Sequence, residues 1–255
     1  MAEFDQQKSY VLTVSESKRL IARGVAASAA VRDALADGIL AVAKGTTDGY
    51  VVEEIMQEEI HKPHYCTGTT RPVGGTTEVD VANELDDLVL KDGERWEGMT
   101  STDSVSEMGP GDVFIKGANA LNYDLHQAGI LIGHPTGGTI GATIGTIIAR
   151  RITLIIPVGL EKSIPGDLYA VAQTLNRSGE AGKGPTLWPV DGEIFTELEA
   201  LETLCGVHAH AIGAGGILGA EGAVRIAVWG NGEQVEKADE VIGSLRGEPA
   251  FGQED

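Results

Sequence analysis

The sequence predicts an α/β protein: a mostly parallel sheet flanked by helices, with a C-terminal ferredoxin-like α+β unit. Short apolar runs at residues 113–115, 130–132 and 154–156 each end in glycine or a polar cluster. A helix candidate rich in small residues, 140–150, separates the last two runs. Short apolar runs that alternate with helices are typical of buried parallel strands. Because open α/β sheets bind ligands beyond the carboxyl ends of their strands, we expect the functional residues there.

The order of the elements predicts two domains. Residues 1–180 are expected to form a Rossmann-like α/β ligand-binding domain, in which strands alternate with helices. The glycine-rich, hydrophilic stretch 176–185 is the predicted boundary. Residues 186–255 then follow the order strand, helix, strand, strand, helix, strand, which is typical of a ferredoxin-like domain. This part is glycine-rich and apolar between residues 209 and 223, which favours a homo-oligomer.

The composition disfavours several classes of partner. The 255 residues carry a formal net charge of −19, so we expect no nucleic-acid partner and no membrane partner, since both require basic faces. Plain solubility and a salt-adapted source are both open as reasons for the acidity. The two cysteines are too few for a disulfide framework. No apolar run reaches ~18 residues and the first residues are polar, so the expected location is cytoplasmic.

The first candidate site follows the apolar run 39–43. Lys44, Gly45, Thr46 and Thr47 lie between this predicted strand and a predicted helix. Backbone N–H groups and hydroxyls in such a turn can hold a phosphate or carboxylate, and the helix dipole favours negative charge. The turn lacks the Walker pattern, and an ordinary strand–helix connection is the alternative interpretation.

The distribution of lysines also indicates an anionic ligand. The chain has nine lysines against 38 acidic residues, yet Lys44, Lys116 and Lys162 each follow a predicted strand. Cations beside turns of glycine and threonine predict a phosphate or carboxylate ligand. The alternative is that each lysine is merely solvated beside its own turn.

Two other groups of residues have side chains that could take part in catalysis or bind a metal. Cys66 precedes the polar run 67–70 and is a candidate nucleophile or acid, although a lone cysteine is more often inert. His208 and His210 share one face of a predicted strand, but no third ligand stands at a suitable spacing. We therefore predict no metal and no cofactor.

Three short motifs, at residues 45–47, 117–119 and 137–139, each follow a predicted strand. In this order they resemble the superfamily of ribose-5-phosphate isomerase A, the CoA transferases and the DeoR-type sensors, which has a Gly-Thr-rich loop, a Gly-Ala-Asp motif and a later glycine-rich turn. The resemblance covers roughly residues 15–165. It implies a Rossmann-like scaffold that binds a small anionic metabolite.

The chain departs from the isomerase pattern at its acids. Where the isomerase motif reads Asp-Gly-Ala-Asp, this chain has Lys116 and Asn119 at the two outer positions, and Gly145 stands where the resemblance implies a catalytic glutamate. Ribose-5-phosphate isomerase activity itself is therefore not expected. The sequence at Cys66 resembles part of the Cys-Asn-Thr-Gly stretch of methylthioribose-1-phosphate isomerase. No glutamate matches the nucleophile of the CoA transferases.

These observations lead to one functional hypothesis and two alternatives. We expect an isomerase of the aldose–ketose type that acts on a small phosphorylated or carboxylated metabolite by proton transfer. Lys116 is the predicted stabiliser or acid, Glu161 the predicted base and Cys66 a further catalytic candidate. The predicted substrate-binding residues are Lys44, Gly45, Thr46, Thr47, Asn119, Gly137, Gly138, Thr139 and Lys162. The alternatives are a non-catalytic metabolite sensor and a CoA-dependent acyl transferase.

Overall fold

The computed structural model describes residues 5–68, 70, 84–177 and 184–252. In this part of the chain, twelve strands form three sheets. The strands are β1 (Gln6–Leu12), β2 (Ile39–Val42), β3 (Leu88–Lys91), β4 (Glu94–Arg95), β5 (Val113–Ile115), β6 (Ala120–Asn122), β7 (Gln127–Ile132), β8 (Thr153–Pro157), β9 (Thr186–Val190), β10 (Glu193–Phe195), β11 (His208–Ala214) and β12 (Val224–Gly230). The α-helices are α1 (Val14–Ala27), α2 (Ala29–Ala36), α3 (Thr46–Met56), α4 (Ser101–Ser104), α5 (Gly138–Arg150), α6 (Leu168–Arg177), α7 (Glu197–Cys205) and α8 (Gly232–Gly243).

The central sheet has six strands in the order β10-β8-β5-β2-β3-β4. Its first four strands are parallel, and the hairpin of β3 and β4 continues the sheet in the antiparallel direction. Every residue of β2 and β5 is buried, as strands that are covered on both faces require. The predicted α/β class with a mostly parallel sheet is confirmed.

A second, antiparallel sheet has the order β6-β7-β9. The prediction that residues 130–132 form a parallel strand is therefore wrong, because they belong to β7, which runs antiparallel to both neighbours. Only residues 123–126 connect β6 to β7, and a connection this short can join antiparallel strands but not parallel ones. The sheet stands beside the carboxyl end of β5, since Asn119 bonds to β7.

The third sheet joins the two ends of the described chain. β12 lies between β1 and β11, and both pairings are antiparallel. β1 pairs along its whole length, from Gln6 opposite Gly230 to Leu12 opposite Val224. Most residues of β1 are exposed, so the apolar pattern that normally indicates a strand is weak there.

The predicted C-terminal ferredoxin-like unit is not confirmed. The strands after residue 186 enter all three sheets: β9 pairs with β7, β10 pairs with β8, and β12 pairs with β1. The division into residues 1–180 and 186–255 stays a prediction, and these three pairings cross it. The order of strands and helices suggested one compact unit, but strand order does not determine which strands pair.

Helix α1 organises the packing on one side of the central sheet. It begins with a capping box, in which the Thr13 hydroxyl accepts a bond from Glu16 N–H and the Glu16 carboxylate accepts one from Thr13 N–H. Its apolar face is buried against α3 and α7. Gly24 permits the contact with α7, because a Cβ there would lie 2.7 Å from Ala200. Among the described helices, none is both long enough and apolar enough to cross a bilayer.

Candidate functional site

One cavity of about 580 Å³ lies at the carboxyl ends of β2 and β5. Its volume falls within the range of sites for small ligands. The turn before α3, the segment after β5 and the start of α5 form its walls, and Lys162 reaches it from the turn after β8. Nine of the twelve predicted site residues line this cavity: Gly45, Thr46, Thr47, Lys116, Asn119, Gly137, Gly138, Thr139 and Lys162.

The other three predicted site residues do not line the cavity. The Lys44 ammonium pairs with Glu84 at 2.7 Å. Cys66 Sγ donates a hydrogen bond to the Pro63 carbonyl at 3.1 Å. The Glu161 carboxylate pairs with Lys18 of α1 at 3.0 Å. Glu161 and Lys162 are consecutive residues of the short 3-10 turn Leu160–Lys162, and their side chains contact different neighbours. Lys162 therefore reaches the cavity, while Glu161 does not.

Asp48 lies on the cavity wall and was missed by the sequence analysis. It is fully buried, and its Oδ2 accepts a hydrogen bond from Gly117 N–H at 3.1 Å. Its Oδ1 has no hydrogen-bond partner among the described residues. Burial raises the pKa of Asp48, while Lys116, the Gly117 N–H and Lys162 act in the opposite direction. An aspartate in the first turn of a helix normally suggests only a favourable dipole interaction, so local sequence gave no sign of this position.

Two glycines allow the backbone to approach the Asp48 carboxylate. A Cβ on Gly45 would lie 2.0 Å from Asp48 Oδ2, and one on Gly117 would lie 3.1 Å from the same atom. The first distance is well below any van der Waals contact, so a side chain at position 45 would displace the carboxylate. The Gly-Thr-Thr turn therefore leaves room for the Asp48 carboxylate and also forms part of the cavity wall.

The two lysines of the site are held by backbone carbonyls near Asp48. Lys116 Nζ lies 3.4 Å from the Lys44 carbonyl oxygen, which places its ammonium beside the turn that precedes α3. Lys162 Nζ donates a hydrogen bond to the Ala118 carbonyl at 2.7 Å. Burial lowers the pKa of Lys162, and the neighbouring Glu161 carboxylate partly offsets this effect. Two cations thus face one buried carboxylate.

The two helices that begin at the cavity lack a side-chain cap, as α2 also does, whereas three other helices have a capping box. α1, α7 and α8 each begin with a side-chain capping box. In contrast, the N-caps of α3 and α5 are Gly45 and Gly137, and neither helix has a side-chain cap. Their first N–H groups consequently lack the usual side-chain acceptor. Two uncapped helix starts on one cavity favour a negatively charged ligand, which would accept these hydrogen bonds.

The glycine-rich turn before α5 requires glycine for conformational reasons. Gly137 and Gly138 have φ values of 88° and 58°, in the left-handed region that glycine adopts readily. A Cβ on Gly137 would also approach Gly141 at 2.9 Å and Trp188 at 3.1 Å. The turn is therefore tightly packed, and its shape favours glycine at positions 137 and 138.

Asn119 has a positioning role in the structure. Its Oδ1 accepts a hydrogen bond from Leu131 N–H at 2.9 Å, and its backbone N–H bonds to the Gly129 carbonyl. These bonds connect the segment after β5 to β7, which forms the opposite wall. The prediction that Asn119 binds substrate stays a prediction.

A second group of ionisable side chains lies behind Lys162. Glu197 is fully buried, and Leu160 N–H donates to its carboxylate at 3.0 Å. Burial and the nearby Glu161 charge raise the pKa of Glu197 to about 7. Glu161 Oε2 is buried without a hydrogen-bond partner in the described part of the chain. Lys18 is the cation of this group.

Within the described residues, no group of three or more His, Cys, Asp or Glu side chains is arranged to hold a metal ion. Comparison of the chain with protein-family models, with curated proteins and with solved structures finds no match.

Proposed function

We propose that this chain is an enzyme that binds a small phosphorylated or carboxylated metabolite and moves a proton on it, as an aldose–ketose isomerase does. The observation that carries the proposal is the buried Asp48 carboxylate beside Lys116 and Lys162 on the wall of one cavity. A carboxylate with a raised pKa is a stronger base than an ordinary one, and a cation beside it can stabilise a developing oxyanion.

The anionic group of the substrate can bind in this cavity at the starts of α3 and α5. The uncapped starts of α3 and α5 offer N–H groups, and the hydroxyls of Thr46, Thr47 and Thr139 lie along the same walls. Thr47 Oγ1 is buried and has no hydrogen-bond partner among the described residues. A phosphate bound here would be held by groups that carry no full negative charge.

The proton transfer assigns roles to two side chains. Asp48 removes a proton from the carbon next to the substrate carbonyl, and the electron pair of the broken C–H bond forms the double bond of an enediolate. Lys116 stabilises the resulting oxyanion and carries a proton between the two oxygens. Asp48 then returns its proton to the neighbouring carbon. In this proposal Asp48 takes the role first expected of Glu161, which pairs with Lys18 outside the cavity.

The test is proton exchange with solvent. The protein is incubated in D₂O with a panel of sugar phosphates and hydroxy-carbonyl acids, and deuterium at the carbon next to the carbonyl is measured by NMR. Exchange with at least one substrate is expected, and Asp48→Asn should reduce it by about 10²–10⁴-fold. Asp239→Asn, which changes an aspartate on α8, is the matched control. Equal exchange rates in wild type and Asp48→Asn would refute the role of Asp48.

A non-catalytic metabolite sensor is the second candidate. Lys116 and Asn119 stand where the isomerase motif that the chain resembles has aspartates, and the loss of these acids favours a sensor. Tight binding of a panel member without deuterium exchange would support the sensor. The third candidate, a CoA-dependent acyl transferase, needs a nucleophilic glutamate, and none is among the described residues that line the cavity. Trapping of an acyl-glutamate by hydroxylamine would support the acyl transferase.

We also propose that the protein forms a homo-oligomer through β11. This strand is at the edge of its sheet, and six of its seven residues are exposed. Residues 206–220 contain no Asp, Glu, Lys or Arg, although the chain as a whole is strongly charged. Ile217 and Leu218, at the tip that follows, are 77% and 96% exposed. An uncharged edge strand lacks the features that prevent pairing with another strand.

A further inference from the structure

A second cavity, of about 1030 Å³, adjoins the first. Ile132, Gly133, His134 and Gly137 line both cavities, so the segment that connects β7 to α5 forms a wall of each. A small sugar phosphate would occupy the first cavity alone. A ligand that extends past this segment would enter the second.

The walls of the second cavity differ in charge from those of the first. The first has Asp48, Lys116 and Lys162, whereas the described residues that line the second include no Asp, Glu, Lys or Arg. In a chain with a net charge of −19, the lack of charged side chains among the described residues of this wall is unusual. The described wall favours a ligand part that is itself uncharged.

Two aromatic rings lie on this surface and remain partly exposed. Trp188 of β9 is 38% exposed and Tyr169 of α6 is 41% exposed. Large aromatic side chains are usually well buried, so two of them on one cavity wall indicate a surface for a flat apolar group. Gln173 and Asn176 on the same wall add side-chain amides that can both donate and accept hydrogen bonds.

Both rings are held in place by the fold. Trp188 stands opposite Ile130 in the pairing of β7 and β9, and its ring edge packs against the turn at Gly137 and Gly141. The Tyr169 hydroxyl donates a hydrogen bond to Asp191 at 2.8 Å. A ring that is fixed by one edge and exposed on another loses little conformational entropy when a ligand stacks on it.

We infer that the two cavities together bind one ligand with two parts: an anion held in the first cavity near Lys116, and a planar heteroaromatic ring held in the second against Trp188. A nucleoside monophosphate has both parts, since a sugar connects its phosphate to its base. Its C1′ is bonded to the base and offers no carbonyl, so it is a probe of binding and not a substrate of the proton transfer. The inference rests on the proposed function for the position of the anion. The charge difference between the cavities and the fixed, exposed rings carry the rest.

The experiment compares a sugar phosphate with nucleotides that carry a base on the same phosphorylated sugar. Binding of ribose 5-phosphate and of the four nucleoside 5′-monophosphates is measured by calorimetry at fixed ionic strength. At least one nucleotide should bind about tenfold or more tightly than ribose 5-phosphate, because stacking of a base on an aromatic side chain has roughly this effect. Trp188→Leu should remove the gain. Because Trp188 packs against the turn at Gly137, ribose 5-phosphate affinity should also fall, but by less than nucleotide affinity. Trp96→Leu, outside both cavities, is the matched control.

Each outcome separates the two proposals. If no nucleotide binds more tightly than ribose 5-phosphate, or if Trp188→Leu weakens both ligands equally, the two-part ligand is refuted while the anion site stands on Lys116. If nucleotide binding depends on Trp188 but not on Lys116, the two-part ligand is also refuted. If it depends on both residues and no member of the panel of sugar phosphates and hydroxy-carbonyl acids exchanges a proton in D₂O, the two-part ligand is supported and the isomerase proposal fails.

Discussion

The Gly117 N–H donates a hydrogen bond across 3.1 Å to Asp48, a fully buried carboxylate that belongs to another strand–helix unit. Gly117 follows β5, and Asp48 lies in the first turn of α3, which follows β2. Because β2 and β5 are adjacent and parallel, their carboxyl ends meet, and this bond connects the two turns. It holds the carboxylate at the point where Lys116 also reaches the cavity.

Lys116→Met should weaken anion binding. Removal of the ammonium leaves the buried Asp48 charge less compensated and takes one cation from the ligand, so we expect a loss of about 2–4 kcal/mol in binding free energy. The measurement is calorimetry with ribose 5-phosphate and inorganic phosphate, with circular dichroism to check the fold. Lys91→Met removes a lysine that stacks on Trp96 and does not line the cavity, so its affinity should match the wild type. Equal affinities in wild type, Lys116→Met and Lys91→Met would contradict the proposed anion site.

Asp48→Asn should separate binding from catalysis. The amide cannot accept the substrate proton, so turnover should fall, whereas the affinity for the anion should stay equal or increase because a negative charge is lost. Since burial raises the pKa of Asp48, the variant should also gain stability relative to wild type as pH rises. Calorimetry and urea unfolding test the two effects. A large loss of anion affinity would show that Asp48 positions the ligand instead.

Gly45→Ala should disturb the site through one added methyl group. The new Cβ would overlap Asp48 Oδ2, and the displacement should cost about 1–3 kcal/mol of folding free energy and lower anion affinity. Gly145→Ala is the control, because this exposed position in α5 has open space around it. It should be neutral or stabilise the protein by about 0.5–1 kcal/mol. Thermal unfolding and calorimetry measure both variants, and equal behaviour would contradict the steric argument.

Glu197→Gln should change how stability depends on pH. The folded-state pKa of Glu197 is raised to about 7, so the folded protein holds a proton there that the unfolded chain has released. Wild-type stability should therefore fall as pH rises from about 4.5 towards 7, by up to about 3 kcal/mol from this group. Glu161, Lys18, the Ser17 hydroxyl and the Leu160 N–H are the charged and polar groups near Glu197.

The amide variant cannot lose a proton, so its advantage over wild type should be larger at pH 8 than at pH 5. Urea unfolding at the two pH values measures the difference. Glu202→Gln changes an exposed residue on the same helix and should show no such dependence. A stability difference between Glu197→Gln and wild type that is identical at both pH values would contradict the raised pKa.

Ile212→Lys should disrupt the proposed oligomer. Ile212 is 54% exposed on β11, and a lysine on an edge strand opposes pairing with another strand. Light scattering at micromolar concentration should give a multiple of the 26.7 kDa monomer mass for wild type and a smaller mass for the variant. Leu125→Lys, at a similarly exposed position in the turn between β6 and β7, should keep the wild-type mass. A monomeric wild type would contradict the proposal.

Much of the site could be predicted because its residues follow buried strands. Gly45, Lys116 and Lys162 were predicted from runs of apolar residues that end in polar turns, and all three line the cavity. Asp48 could not be predicted in the same way, since an aspartate in the first turn of a helix is common. The sequence could not predict where the Glu161 side chain points either, because this depends on its contact with Lys18, which is 143 residues earlier in the chain.

The strand–turn–helix units, the turns of glycine and threonine before α3 and α5, and the concentration of lysine at the ends of strands could all be predicted from the sequence. These features are local, because they depend on the conformational preferences and charges of neighbouring residues. Three features depend on the folded chain as a whole: β7 is antiparallel, β1 pairs with β12, and Asp48 lines the cavity while Glu161 does not. Strand pairing and side-chain burial depend on residues far apart in the chain, whose contacts form together when the core packs.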